Sequence, residues 1–371
     1  MKQLQTIGNL REAAAHGPCY RGWLVIVAAT ALAFSNGCGS STASHLAYVA
    51  AGENILAYRI NNKSGTAQAL IGSPFVAGTS PSSLVVHPSN RFAFVANQGD
   101  STISLFKIDS ASGALTEVLP RTTTGFSPAA MTLDSGGSFL FVANLVPGSI
   151  SVFSVSVSGA LSPVSGSPVA LAGSPDGLTL TQAGDLLFVP VPAFSAIYAF
   201  TVSSGVLTSA GAPVIVSGGI STLAVDPGGK FLYAPNPTTN TVTAFNIQSG
   251  GTLTPVPGSP FSAGTTTTTL PVAAAVNPAG TFLYVANSGS GNVSQFQIGS
   301  TGALTVFTTP TQSAGTTPRF ITIDPDGKFV YVANQGANSI SEFSFNTDGS
   351  LVSGGNTISL GASPRSLSLT K

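Results

Sequence analysis

Asp324-Pro325-Asp326-Gly327-Lys328-Phe329-Val330-Tyr331-Val332-Ala333-Asn334 runs on into Gln335-Gly336-Ala337-Asn338-Ser339-Ile340-Ser341, and this stretch decides the fold. It reads as a turn, an aromatic strand, a polar turn and a further strand, with Asp, Pro and Gly meeting the dihedral demands of the first turn. The aromatic-Val-Ala-Asn centre returns at Tyr48-Val49-Ala50, Phe94-Val95-Ala96-Asn97, Phe141-Val142-Ala143-Asn144 and Tyr284-Val285-Ala286-Asn287. It decays at Phe188-Val189-Pro190-Val191 and Tyr233-Ala234-Pro235-Asn236. The aromatics are spaced 46, 47, 47, 45, 51 and 47 residues apart, and the long interval contains the run Thr265 to Thr269, read as a loop insertion. A fixed period of this length marks a repeat architecture.

Each period has one internal order. A short apolar run such as Leu84-Val85-Val86 leads to the turn, the aromatic strand and a third strand such as Ile103 to Ile108. A fourth strand then begins near Leu115, Leu161, Leu207, Leu253, Leu304 or Leu351. Four short strands and four turns fill about 47 residues, and no window of helical period intervenes. Residues 45–371 number 327, close to seven such periods. The chain enters at His45 inside a second strand and ends on Ser363-Pro364-Arg365-Ser366-Leu367-Ser368-Leu369, which matches the first strand Ser80-Pro81-Ser82-Ser83-Leu84-Val85-Val86. The expected fold is therefore all-β: a seven-bladed β-propeller of four antiparallel strands per blade, closed by the C-terminal strand completing the first blade.

The Tyr-Val-Ala-Asn unit, preceded by Asp-Pro-Asp-Gly-Lys and followed by Asn-Ser-Ile-Ser, resembles the YVTN-repeat and lactonase group of seven-bladed propellers across residues 45–371. That resemblance implies either a sugar-lactone hydrolase of the 6-phosphogluconolactonase type or a non-enzymatic surface protein. Enzymes of the group commonly carry His directly after a Pro-Arg pair, and here Phe320 follows Pro318-Arg319.

The first 37 residues are of another kind. Lys2, Arg11 and Arg21 outnumber Glu12, and Trp23 to Phe34 is apolar apart from Thr30. Such a run is too short to span a bilayer and suits a secretory signal. Ser35-Asn36-Gly37-Cys38-Gly39-Ser40 then resembles a bacterial lipobox, with Cys38 as the lipidated residue. The expected organisation is a leader over 1–37, a short tether over 38–44 and the propeller over 45–371, exported and held at the bacterial cell envelope by the lipid. Loss of Cys19 with the leader and acylation of Cys38 leave no thiol for a disulfide, a nucleophile or a metal site.

Composition excludes more. Charged residues make up 7% of the chain and the formal net charge is +0, so an electrostatic nucleic-acid footprint is excluded. Removing the leader leaves ten Lys and Arg against twelve Asp and Glu, so the membrane is reached through the lipid on Cys38 and not through a basic surface. There is no G-x-S-x-G elbow, P-loop, H-E-x-x-H or dinucleotide fingerprint, and no cofactor or metal is expected. The Asp-rich turns at Asp134, Asp226 and Asp324 lack the spacing of a calcium loop and read as turn formers. The repeated Asn residues read as turn residues tolerant of left-handed geometry.

In a propeller the turns joining strands two to three, and each blade to the next, lie on one face around the channel. This is called the mouth face below, and its opposite the far face. Aligning the residue after the Pro that opens each first strand gives Ser82, Ala129, Asp176, Ser221, Val272, Arg319 and Arg365. Arg319 and Arg365 fall in neighbouring blades, and the acids Glu53 and Asp100 occupy second-to-third-strand turns nearby. Two guanidinium groups suit a carboxylate or phosphate, so Arg319, Arg365, Asp100 and Asp176 are the candidate ligand contacts. The bland alternative is that Arg365 and Glu53 neutralise each other. The first functional reading is a binding or assembly module for a small anionic sugar-like ligand or an envelope protein. The alternative is a lactonase in which Arg319 and Arg365 hold substrate charge or the oxyanion and Glu53, or Asp176 across the mouth, is the base. A third is a repeat-built structural surface protein.

Overall fold

The computed structural model describes residues 44–264 and 268–371, the side chains of 353–355 excepted. The leader, Cys38 and all but the last tether residue lie outside the described residues.

Seven antiparallel sheets follow one another around a ring. The first blade enters on Ser44–Ala51 and continues through Asn54–Asn61 and the short Ala67–Ala69, while its innermost strand is the C-terminal Pro364–Leu369. Register across this closure pairs Ala47 with Leu369, Val49 with Leu367 and Ala51 with Pro364. The second blade runs inside to outside as Pro81–Val86, Phe92–Asn97, Thr102–Ile108 and Leu115–Thr123, and the remaining five repeat that order. The described residues contain two three-residue 3-10 turns and no helix long and apolar enough to cross a membrane.

The apolar repeat buries itself between blades. Seven separate core clusters form, one at each seam. Aromatic strands supply their centres, because both faces of each sheet meet a neighbour, as expected of strands apolar on both sides. The tyrosines add a polar link across the seam. Tyr48, Tyr233 and Tyr284 donate to the carbonyls of Gly113, Gly302 and Gly349 at 2.7, 3.2 and 2.5 Å, each in the outer turn of the next blade. Closure is reinforced by two further bonds from the second blade. Leu84 and Val86 donate to Ser366 Oγ and Ser368 Oγ, both at 3.1 Å.

The Asp turns behave as read from sequence: Asp226 Oδ1 accepts from the backbone of Lys230 and Phe231, and Asp324 Oδ1 accepts from Lys328 and Phe329. The repeated asparagines do not. Asn97, Asn144, Asn236, Asn287 and Asn334 are fully buried, and none has a left-handed backbone. Asn97 accepts from Gly78 N and donates to Thr102 Oγ1 and Ser104 Oγ, and Asn334 repeats this with Gly315, Ser339 and Ser341. Both tie the loop arriving from the previous blade to their own third strand.

Candidate active site at the channel mouth

Two blades depart from regularity at the channel, and the cause is in the repeat. The innermost ladders of the fourth and fifth blades shrink to Thr179–Leu180 and Ala224–Val225, where other blades have six or eight residues. At these two places the Ala of Val-Ala-Asn is replaced by Pro190 and Pro235. The Pro190 carbonyl faces the inner segment, because it accepts from Asp176 N at 3.1 Å. The N–H that Pro190 lacks is therefore one the inner strand would have used, and the ladder stops short. Asp176 sits on the irregular segment that results.

The inner strands surround a cavity of about 440 Å³. Of the seven aligned positions, Ser82, Ala129, Asp176, Ser221, Arg319 and Arg365 line it; Val272 is buried in the wall, and Ala273 and Ala274 line the cavity in its place. Arg319 and Arg365 are exposed to the cavity water, and neither makes a hydrogen bond or ion pair among the described residues. Asp176 also reaches that water while protein encircles it. Its carboxyl is pushed above the ordinary carboxylate value by burial, with the charge of Arg319 opposing the rise.

Glu53 and Asp100 stand elsewhere. Neither is among the lining residues. Glu53 is exposed and accepts from Ser80 N at 2.7 Å and Ser80 Oγ at 3.4 Å, bracing the connection into the second blade. Asp100 accepts from Thr79 N and Thr102 Oγ1 and pairs with Arg121 at 3.4 Å, while Arg121 also holds Glu117 at 2.7 Å. No ion pair joins Arg365 to Glu53 among the described residues, so the mouth is open and not a neutralised pair.

Sequence reading overlooked Gln335, Thr179 and Thr222, which also line the cavity. Gln335 directly follows a buried Asn334, a position that the repeat could have singled out. The two hydroxyls are already committed, Thr179 Oγ1 to Leu223 O and Thr222 Oγ1 to Val272 O. Phe320 supplies an apolar wall beside Arg319, and His87 is on the far face, against Gly137 O. Among the described residues the mouth therefore offers two cations, one carboxylate, one amide and no imidazole.

The family model "Lactonase, 7-bladed beta-propeller" matches residues 38–177, 195–317 and 305–371. A 43-residue stretch is 42% identical to a 6-phosphogluconolactonase of Pectobacterium carotovorum, spanning 12% of this chain and 13% of that relative. Among solved structures, a candidate 6-phosphogluconolactonase of Bacteroides fragilis aligns over 90% of this chain and 100% of its own, at TM-score 0.78 and 24% identity. The periplasmic gluconolactonase of Pseudomonas aeruginosa aligns over 89% and 99%, at TM-score 0.74 and 23% identity. At such identities the structural likeness establishes the fold alone. The family match spans most of the propeller, and the chain belongs to the lactonase family of seven-bladed β-propellers.

Proposed function

We propose that this protein hydrolyses the lactone of a small anionic sugar acid at the channel mouth. The observation that carries the reading is that Arg319, Arg365 and Asp176 share one open cavity in a lactonase-family chain. Family membership favours this over the interaction module expected first. The names of the Pectobacterium and Pseudomonas relatives support a gluconolactone as the substrate class.

The residues divide the chemistry. One guanidinium grips the substrate's phosphate or carboxylate through paired N–H donors, and the other faces the ester carbonyl. Asp176, raised toward neutrality by its surroundings, takes a proton from water as the water oxygen bonds to the carbonyl carbon. The oxyanion so formed is held by the guanidinium. The ring C–O bond then breaks, and the proton on Asp176 passes to the departing alkoxide, giving the open hydroxy acid. Glu53 is left out of this scheme because its carboxylate is engaged with Ser80.

Export with a lipid on Cys38 belongs to the same proposal and is supported by the leader sequence. The test is pH-stat hydrolysis of 6-phosphogluconolactone and gluconolactone by the full chain and by Asp176→Asn. Turnover above buffer, lowered about 100-fold or more in the variant, is expected. Wild-type turnover no faster than buffer rejects the enzyme.

A further inference from the structure

On the far face, where the first blade meets the seventh, three potential ligand atoms converge. His45 Nε2 lies 3.4 Å from Asp326 Oδ2 and 4.0 Å from Asp324 Oδ2, and one ligand atom of each residue falls within 4.8 Å of the others. His45 is 7% exposed and Asp324 2%. Both His45 Nε2 and Asp324 Oδ2 are buried without a hydrogen-bond partner among the described residues. They are not isolated. Of the seven buried side-chain polar atoms lacking a partner among the described residues, six lie along this seam: these two, Asn62 Oδ1, Tyr331 OH and both oxygens of Glu342. Unpartnered buried polar groups are rare in folded proteins, and the two inside this cluster, His45 Nε2 and Asp324 Oδ2, call for an occupant.

We propose that His45, Asp324 and Asp326 form a binding site for a divalent metal ion of the zinc type, which staples the first strand of the ring to the blade before it. An imidazole with two carboxylates suits zinc-like ions, whereas calcium demands six to eight oxygens. Ligand atoms around tetrahedral zinc stand about 3.3 Å apart, so the 3.4 Å spacing already fits, and the wider ones, 4.0 Å and at most 4.8 Å, must close by about 0.7 to 1.5 Å to complete three of the four positions. Asp324 is already oriented for this: its Oδ1 is fixed by Lys328 N and Phe329 N at 2.6 and 2.7 Å, leaving Oδ2 toward His45. Lys328 Nζ, 3.0 Å from Asp326 Oδ2, is the competing cation. Its side chain is 53% exposed and can swing into solvent. The arrangement is particular to this seam. The turn residue equivalent to Asp326 is Ser89, Gly136, Ala183, Gly228 or Ala279 in the other blades, and His45 has Arg91, Ser138, Asp185, Lys230, Thr281 or Lys328 as its counterparts.

The experiment is calorimetric titration of the untagged full chain with Zn²⁺ and with Ca²⁺, alongside thermal melting, for wild type, His45→Gln and Asp326→Asn. Asp326 is exposed, so its variant tests the site without disturbing the core. Saturable zinc uptake by the wild type, weakened at least about 10-fold in each variant, is expected. Zinc at 100 times the wild-type Kd should raise the wild-type Tm by about 4 °C and that of either variant by no more than about half as much. No saturable zinc binding up to about 1 mM overturns the proposal. Zinc affinity unchanged in either variant, or a preference for Ca²⁺, overturns it equally.

Discussion

Asp176 and Arg319 face one cavity from the fourth and seventh blades, and the guanidinium holds down a carboxyl that burial would otherwise raise further. For an acid acting as base, activity rises with pH as it ionises. Arg319→Met removes the opposing charge, so the acid limb of kcat/KM should move to higher pH. A variant profile superimposable on that of the wild type would sever the link between these residues.

Among the described residues Arg365 has no protein partner, so its charge is available to a ligand. Arg365→Met keeps the apolar stem and should weaken binding of 6-phosphogluconate by about 10- to 100-fold in calorimetric titration. Tm should hardly change, since Ser, Ala or Val occupies the equivalent place in other blades.

Glu342 presents a pH-dependent weakness. It is buried beside Gly65, where even a Cβ would collide with the carboxyl, and burial pushes it up to about 7 from 4.5, with Asn356 the polar group opposing the shift. The folded state thus holds a proton that the unfolded state releases. Its stabilising effect is complete below about pH 4.5 and is lost as pH rises to about 7. At the same register in the sixth blade stands Gln295, which accepts from Leu351 N and donates to Thr309 O. Glu342→Gln should therefore gain roughly 1–3 kcal/mol over wild type at pH 8 and much less at pH 4.5, read from urea midpoints. An equal difference at both pH values would contradict the assignment.

Ring closure rests on Pro364–Leu369. Deleting Arg365 to Lys371 strips the first blade of its inner ladder and removes Leu367 from the seam core. The truncated chain should melt at least about 10 °C lower and aggregate. Melting like the full chain would show that the ring does not depend on this strand.

Mass spectrometry of the mature N-terminus with detergent partitioning should find a chain beginning at an acylated Cys38. Recovery of any residue ahead of Cys38 would eliminate the lipoprotein reading.

The blade order and its closing strand were legible because both repeat, and a repeat is read from spacing alone. The ring of channel positions was legible for the same reason, and six of its seven members line the cavity. Glu53 and Asp100 show where that reasoning stops. Topology tells which face a turn occupies but not its distance from the axis, and turns between strands two and three lie farther out than the start of strand one. The asparagines were misread because one residue type serves two purposes, and their hydrogen bonds reach residues that only folding brings near. Pro190 was visible as a lapse in the repeat, yet its effect on Asp176 needed the direction of its carbonyl. His45 and Asp324 meet across the closure, 279 positions apart.

Because every seam keeps its own core, the rim residues Ser82, Ala129, Asp176, Ser221, Arg319 and Arg365 belong to none of the seven clusters. Six of the seven blades thus contribute one letter each to the mouth, and all of these but Ser82, which donates to Pro128 O at 2.7 Å, can be rewritten without loosening the hoop beneath them. A library confined to these positions would vary the chemistry of the mouth while most of its members still fold.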